Sequence, residues 1–412
     1  MAFTGITRRM EPLDLLAYHR IASVSFEYPF TYEKDAQTYF DETAAKAETA
    51  NEISERYYMA RYVAEYENKI VAGLSPYPYK IAFDGNIQRM AGIGCVCSLP
   101  TSRRLGAVRA LFLHMLRDER DKGTEWSVLF PFSQAYYEKF GYAMNEYIAE
   151  WSFKLSHIAP AADLGHTFTM HEGGLDGMDA FIQAYERAPQ YNMMIQREVC
   201  SHNKVVRANP YSTNDFAYLC RDKDGNPRGY AVWHKDWDGE TSIMQMTELV
   251  FDTVETLRAI LRFVSSFASD YTRVRFEAPY HLNLESLCTD YTNGHGRAQR
   301  KVNPCGMVRV VNLENALRGA RLVGSGEASL RVDDPVFGTS NLGVTWTDGK
   351  LTDLGATTLA PDATLSIGAF SQLLLGRFDA DNFPFIAGAD IVNAEKLTGL
   401  FYKKPIHMKN TF

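Results

Sequence analysis

Three absences narrow the reading before any motif is considered. None of the six cysteines, at 95, 97, 200, 220, 288 and 305, stands in a Cys-x-x-Cys pair or has histidines at zinc spacing, so no zinc site and no metal requirement is read. Scattered cysteines fit a reducing cytoplasm, and Cys95 and Cys97, on one side of a strand, read as small buried apolar residues. No run of about 18 apolar residues occurs, and the first ten residues lack the apolar core of a signal peptide. The chain therefore reads as a soluble cytoplasmic protein with no membrane partner. A basic excess is also missing: 43 Lys and Arg against 50 Asp and Glu give a net charge of −7. That excludes nonspecific nucleic-acid binding, which needs a basic face, and suits a cationic substrate.

What is present is globular. Hydrophobic residues make up 46% and charged residues 23%, and 412 residues exceed one ordinary core, so two to four domains are expected. The most informative stretch runs from Gly92 to Tyr142. Met90–Ser98 is a short run of small and β-branched residues that reads as a buried strand. From Gly106 a helical pattern places Val108, Leu111, Met115 and Leu116 on one face. Between them lies the turn Pro100-Thr-Ser-Arg-Arg-Leu-Gly-Ala-Val-Arg109. A helix start offers unpaired N–H groups and the positive end of a dipole. Arg103 and Arg104 add fixed charge, and Gly106 lets an anion approach the backbone closely. A pyrophosphate fits such a turn. A second strand, Trp126–Phe130, and the segment Ser133-Gln-Ala-Tyr-Tyr-Glu-Lys-Phe-Gly-Tyr142 follow.

This order of elements resembles the GCN5-related N-acetyltransferases, the GNAT superfamily. The turn after Leu99, together with Leu129-Phe-Pro-Phe-Ser133, Tyr137-Glu-Lys-Phe-Gly-Tyr142, the chain length and the C-terminal phenylalanine, is similar to the Eis (enhanced intracellular survival) branch. The resemblance implies an α/β fold of mixed α+β sheets, with two tandem GNAT-like domains followed by a sterol carrier protein-like α+β domain. It implies acetyl-CoA as acyl donor. The pantetheine arm would lie along Val96, Cys97 and Ser98, and the pyrophosphate on Arg103, Arg104, Leu105, Gly106 and Ala107, with Ser133 near the pantetheine. It also implies Tyr137 as general acid toward the departing thiolate and the C-terminal carboxylate of Phe412 as general base. Aminoglycosides or other polyamines are the acceptors it suggests, and a homo-hexamer the assembly. Thr411 stands where family members can carry an acidic residue, which leaves the acceptor side less acidic at that point.

Elsewhere the chain divides at weaker signals. Leu13–Ser25 and a second helix to about Ala50 flank the aromatic cluster Phe26-Glu-Tyr-Pro-Phe-Thr-Tyr32. There Phe26, Tyr28, Phe30 and Tyr32 either wall an amine-binding cleft, with Glu27 as anionic partner, or simply hold two helices together. Arg61–Tyr66 and Ile70–Leu74 read as a hairpin, and Tyr147–Phe153 as the strand that closes the first domain, residues 1–155. Residues 156–292 repeat the strand, helix, strand order, but Asp252 and Glu255 replace the arginines, which gives a degenerate domain without cofactor. Residues 293–412, after the loop Asn293–Arg297, read as strands around Glu327–Val332 and Gly343–Thr347, an Asp348-Gly349 turn and a covering helix Ile367–Gly376. His114 on its helix reads as a packing residue. Two other functions stay open, a protein Nε-lysine acetyltransferase and a non-catalytic acyl-CoA or lipid sensor.

Overall fold

The computed structural model describes residues 3–49, 61–197, 202–289 and 298–408. It divides into two compact units, one of Met1–Glu146, Tyr191–Gln196 and Cys305–Phe412, the other of Tyr147–Gln190 and Arg197–Pro304. The loop Asn293–Arg297 lies outside the described residues.

The first unit begins with β1 (Ile6–Arg9), β2 (Tyr62–Tyr66), β3 (Lys69–Phe83), β4 (Asn86–Ser98), β5 (Trp126–Leu129) and β6 (Ala143–Met144), with helices α1 (Leu15–Phe26), α2 (Ala36–Thr49), α3 (Ala107–Asp121) and α4 (Gln134–Tyr137) between them. Two hairpins follow from left-handed turn pairs, Glu67-Asn68 at φ 50° and 58° and Asp84-Gly85 at φ 50° and 85°, which match the twist of the strands they join. Strand β3 is longer than its sequence suggests, because Pro76 and Pro78 sit inside it, opposite Ile93 and Ala91 of β4. Pairing of β3 with β2 stops at Leu74, so the missing proline N–H groups fall on an edge that β2 does not cover. Helix α3 buries Leu111, Phe112, Met115 and Leu116 with Ala91 and Ile93 of β4 and Leu129 of β5 in one cluster that also holds Tyr137 and Tyr142.

The second unit is a seven-stranded sheet of β7 (Tyr147–Lys154), β8 (Thr167–His171), β9 (Asp215–Arg221), β10 (Pro227–Trp237), β11 (Ser242–Phe251), β12 (Arg273–Pro279) and β13 (Gln299–Pro304), in the order β13-β7-β12-β11-β10-β9-β8. Its helix α5 (Val254–Ser265) buries Leu257, Ile260, Leu261 and Val264. Here the reading of Tyr147–Phe153 as a closing strand of the first domain is corrected. It pairs antiparallel with β12, Trp151 opposite Phe276, and with β13, Trp151 opposite Arg300. Ala149, Trp151 and Phe153 are fully buried in this unit's own core.

Strand β14 (Met307–Val310) returns to the first unit, where it lies between β5 and β6, Val308 facing Val128 and Ala143. The first sheet therefore runs β1-β2-β3-β4-β5-β14-β6. The chain then forms a five-stranded sheet, β15 (Gly326–Asp334), β16 (Gly338–Thr347), β17 (Lys350–Ala356), β18 (Ala363–Ser366) and β19 (Ala389–Ile391), in the order β17-β16-β15-β18-β19. Asp348 and Gly349 take φ 50° and 74° at the expected turn. Helix α6 (Ile367–Leu375) is buried along most of its length, and its Phe370, Leu373 and Leu374 share one core with Trp126, Val128, Val308 and Val310 of the first sheet. Arg309 has no exposed side-chain surface, and its neighbours Phe140 and Phe337 belong to the cluster of Tyr137 and Tyr142. Its guanidinium pairs with Asp334 at the end of β15, donates to the carbonyl of Phe140, and lies 5.2 Å from the Phe337 ring centroid. Among the described residues no helix is long and apolar enough to cross a membrane.

Candidate active site

The site begins where two parallel strands part. β4 and β5 pair from Met90 with Trp126 to Ile93 with Leu129, and there the register ends while β4 runs on to Ser98. Just beyond, β4 carries a bulge: Gly94 faces Ser75 and Cys97 faces Gly73, so Cys95 and Val96 together oppose Leu74. Cys95 takes φ 48°, a left-handed conformation that a cysteine adopts only where the surrounding structure holds it. The extra residue bends β4 at the point where β5 leaves it.

Of the three strand residues predicted to meet a pantetheine arm, one is already occupied. Ser98 donates its N–H to Ser25 Oγ and its carbonyl accepts from the same hydroxyl, both at 3.1 Å, so its outward backbone is held by α1. Cys97 is 2% exposed and its thiol points at the Gly73 carbonyl, 3.7 Å away. Val96 is half-buried and packs on the α3 cluster, at the edge that β5 has left.

The basic turn has the geometry its sequence predicts. Pro100–Ser102 form one turn of 3-10 helix, Arg104 takes φ 72° and Gly106 φ 85°, and α3 starts at Ala107 with no side chain capping it. Arg103 and Arg104 are exposed, Leu105 is half-buried and Ala107 buried. The first N–H groups of α3 therefore have neither an intrahelical partner nor a side-chain cap. The equivalent junction of the second unit is closed by its own residues. Thr253 caps α5 by accepting the Thr256 N–H at 3.2 Å, Thr256 Oγ1 donates to Asp252 at 2.6 Å, and Asp252 pairs with Arg228 at 2.7 Å. A carboxylate at that helix start opposes the approach of an anion.

Tyr137 ends the short helix α4, which follows Ser133. Ser133 holds the extended N-cap position and accepts the Tyr136 N–H on its carbonyl at 3.2 Å, without a side-chain cap. The Tyr137 ring is 3% exposed and packs between Phe112, Phe132 and Tyr136, with centroids 5.7, 5.4 and 5.2 Å away. Its hydroxyl has no hydrogen-bond partner among the described residues. Burial, then the neighbouring Tyr136 and Tyr142, push its acidity well below that of an ordinary phenol. Tyr142 is different: fully buried, it shares a 2.7 Å hydrogen bond with Ser127, and burial raises it to about 12. Its role is structural. His114 engages Thr7 at 3.1 Å and lies 3.7 Å from Asp118, a packing position.

The aromatic cluster divides. Phe30 and Tyr32 meet Tyr39 of α2 edge-on, at 5.8 and 4.5 Å, and Phe30 meets His19 of α1 at 6.2 Å, so these two hold the helices together. Phe26 and Tyr28 are 53% and 43% exposed, and Glu27 between them takes φ 56° as the left-handed cap of α1. Burial raises the Tyr28 phenol, the Cys95 and Cys97 thiols add to that and Arg61 opposes it. At the Cys95 bulge lies a group that sequence reasoning missed. Tyr18 Oη is 2.6 Å from Ser75 Oγ and donates to the Cys95 carbonyl at 3.2 Å. Arg61 lies over the Tyr18 ring at 5.0 Å and 3.1 Å from His19 Nε2. Burial, then Arg61, lower His19 to about 4, so its ring is neutral at pH 7. Hydrogen bonds from Cys97 and Tyr18 lower the Cys95 thiol. Only the polar residues of the Ser75-Pro-Tyr77-Pro-Tyr79 alternation could have flagged this side.

Phe412 lies outside the described residues. Among the described residues no group of His, Cys, Asp and Glu is placed to hold a metal ion.

Comparison with known proteins decides the family. Residues 7–144 match an acetyltransferase (GNAT) domain, and residues 194–310 match a second one. The chain is a GNAT-type acetyltransferase. GNAT enzymes use acetyl-CoA and imply a small-molecule acceptor. No curated protein matches the chain. Among solved structures it is similar to a conserved protein from Enterococcus faecalis V583 (19% identity, TM-score 0.83, covering 99% of this chain and all of that one). It is also similar to a GCN5-related N-acetyltransferase from Anabaena variabilis ATCC 29413 (20% identity, TM-score 0.81, 99% and 100% covered). A third likeness is to Eis1 from Mycobacterium abscessus (16% identity, TM-score 0.77, 99% and 100% covered). At these identities the likeness speaks for the fold.

Proposed function

We propose that this GNAT acetyltransferase belongs to the Eis branch and transfers acetyl from acetyl-CoA directly to a primary amine of a small polyamine-type acceptor such as an aminoglycoside. The observation that carries the reading is the continuous path from the parted β4 and β5, through the bulge at Cys95, into the uncapped, doubly basic start of α3. Arg103, Arg104, Leu105, Gly106 and Ala107 would hold the pyrophosphate, and Val96 and Cys97 would flank the pantetheine. Ser98 reaches that arm only by releasing Ser25, and Ser133 stands at the head of the Tyr137 helix. Acetyl-CoA supplies an activated acyl group and a thiolate leaving group.

The residues of the chain do the rest. Tyr137 stays protonated across the neutral range. The burial that disfavours its phenolate equally disfavours a bare thiolate beside it, so its free hydroxyl is drawn to sulfur as negative charge develops there. An amine of pKa about 10.4 must shed a proton before it attacks. The carboxylate of Phe412, with an α-carboxyl pKa of about 3.5, is ionised at neutrality and accepts it. Phe26, Glu27 and Tyr28 would form the outer wall of the acceptor pocket. The second unit, with its helix start capped by Thr253 and Asp252, would be a degenerate GNAT domain that binds no cofactor. The β15–β19 sheet with α6 would be the sterol carrier protein-like domain that delivers the C-terminus. A cytoplasmic homo-hexamer is the assembly this branch suggests.

The donor half of the reading is tested by reversing the turn's charge. Arg103→Glu with Arg104→Glu is expected to raise the acetyl-CoA Kd roughly 10- to 100-fold, as charge-assisted phosphate contacts are lost. Titration calorimetry that finds equal affinity would reject the turn as the phosphate site.

A further inference from the structure

The bulge of β4 is fastened by a residue that the chemistry above leaves unused. Tyr18 of α1 is 1% exposed, and its ring lies against β3 at Gly73. A Cβ there would stand 2.4 Å from Tyr18 Cε2 and 2.6 Å from Cδ2, so the absence of a side chain on Gly73 is what lets the ring through. Ser75, two residues on, faces the same side of β3, and its hydroxyl meets Tyr18 Oη at 2.6 Å. The phenol proton goes to the Cys95 carbonyl, 3.2 Å away, so within the pair the serine donates and the tyrosine accepts. Burial holds the phenol well above its ordinary range, which keeps that proton in place.

A carbonyl held in one direction fixes the next N–H in the other. The Cys95–Val96 peptide is trans, and in a trans peptide the C=O and the N–H point opposite ways. Tyr18 Oη bridges Ser75 of β3 and Cys95 of β4 on the side where α1 packs. The Cys95 carbonyl therefore leans toward β3 and α1. The Val96 N–H leans away from both, to the edge of β4 that β5 covers only as far as Ile93 and Leu129. Acyl transfer from a thioester puts negative charge on the carbonyl oxygen as the amine adds, and a donor fixed in advance at that oxygen speeds the step.

We infer that Tyr18 is a positioning residue for the acyl group: by holding the Cys95 carbonyl toward α1 it turns the Val96 N–H into the gap that β5 leaves, where that N–H donates to the thioester carbonyl. The inference rests on the reading above that acetyl-CoA lies in this gap. The amine's electron pair forms the new C–N bond, its proton goes to the base, and the carbonyl pair moves onto the oxygen beside the Val96 N–H. When the adduct collapses the C–S bond breaks, and the pair leaves with sulfur, which takes the Tyr137 proton.

The test uses full-length protein, the amine that gives the fastest CoA release, and acetyl-CoA with a carbon-13 carbonyl. Tyr18→Phe is expected to lower kcat about 10- to 100-fold, the effect of a lost or misaimed oxyanion donor, while the acetyl-CoA Kd stays within about twofold because the basic turn is untouched. The infrared band of the labelled carbonyl is expected below its solution position in the wild-type complex and to move back toward it in Tyr18→Phe. Tyr142→Phe loses a comparable buried bond, to Ser127, and is expected to lose stability but keep wild-type kcat. If Tyr18→Phe does not fold, Gly73→Ala displaces the ring, keeps the hydroxyl and carries the same expectation. Wild-type kcat in Tyr18→Phe or Gly73→Ala, an equal loss of kcat in Tyr142→Phe, or a band that stays shifted in Tyr18→Phe would overturn the inference and leave the placement of acetyl-CoA standing. A band at its solution position in the wild-type complex would instead remove that placement, and the inference with it.

Discussion

Tyr137→Phe is expected to keep acetyl-CoA affinity within about twofold while lowering turnover by about 10²-fold or more, the usual loss for a general acid. The substitution removes one oxygen that has no hydrogen-bond partner among the described residues, so it opens no unsatisfied group. The ring contacts with Phe112, Phe132 and Tyr136 are those of a phenylalanine as much as of a tyrosine. Stability is accordingly expected to hold, and a fall in kcat then reports chemistry. Stopped turnover with intact thermal unfolding and intact acetyl-CoA binding is the predicted combination. Unchanged turnover would take Tyr137 out of the mechanism.

The second large effect is on folding. Arg309→Met leaves Asp334 buried without its cation and the Phe140 carbonyl without its donor. Breaking one side of a buried pair costs about 3–5 kcal/mol, and the midpoint of unfolding is expected to fall by on the order of 10 °C. The Phe140 carbonyl lies three residues beyond Tyr137, so turnover is expected to suffer before the fold is lost on heating. Asp334 also accepts the Val336 N–H at 2.8 Å, so a double change of Arg309 and Asp334 to apolar residues should recover only part of the loss. Calorimetric unfolding that differs from wild type by less than about 1 kcal/mol would show the pair to be unimportant.

Local patterns were legible. The strand to Ser98, the basic turn and the amphipathic α3 lie next to one another in the chain, and each announces itself through period, charge or glycine. The Asp348-Gly349 turn and the repeat of strand, helix and strand around α5 are of the same kind. Non-local choices were not. Tyr147–Phe153 alternates as a strand must, but alternation names no partner, and the position expected for it in the first sheet is filled by Met307–Val310 from far along the chain. Pro76 and Pro78 hid half of β3, since a proline reads as a strand end unless the uncovered edge is known. At the site, Arg103, Arg104 and Gly106 stood in one contiguous turn and Tyr137 in a short motif of its own. Tyr18, Arg61 and Ser75 come from three separate elements and meet only behind the bulge at Cys95.

The central claim is most directly tested by CoA release from acetyl-CoA by the purified protein across aminoglycosides, polyamines and lysine peptides, with mass spectrometry of each acceptor. The account predicts acetylation of a primary amine on a multi-amine small molecule, with little turnover of the peptides. Efficient acetylation of lysine peptides alone would contradict the acceptor class, and tight acetyl-CoA binding without turnover on any amine would contradict the catalytic reading.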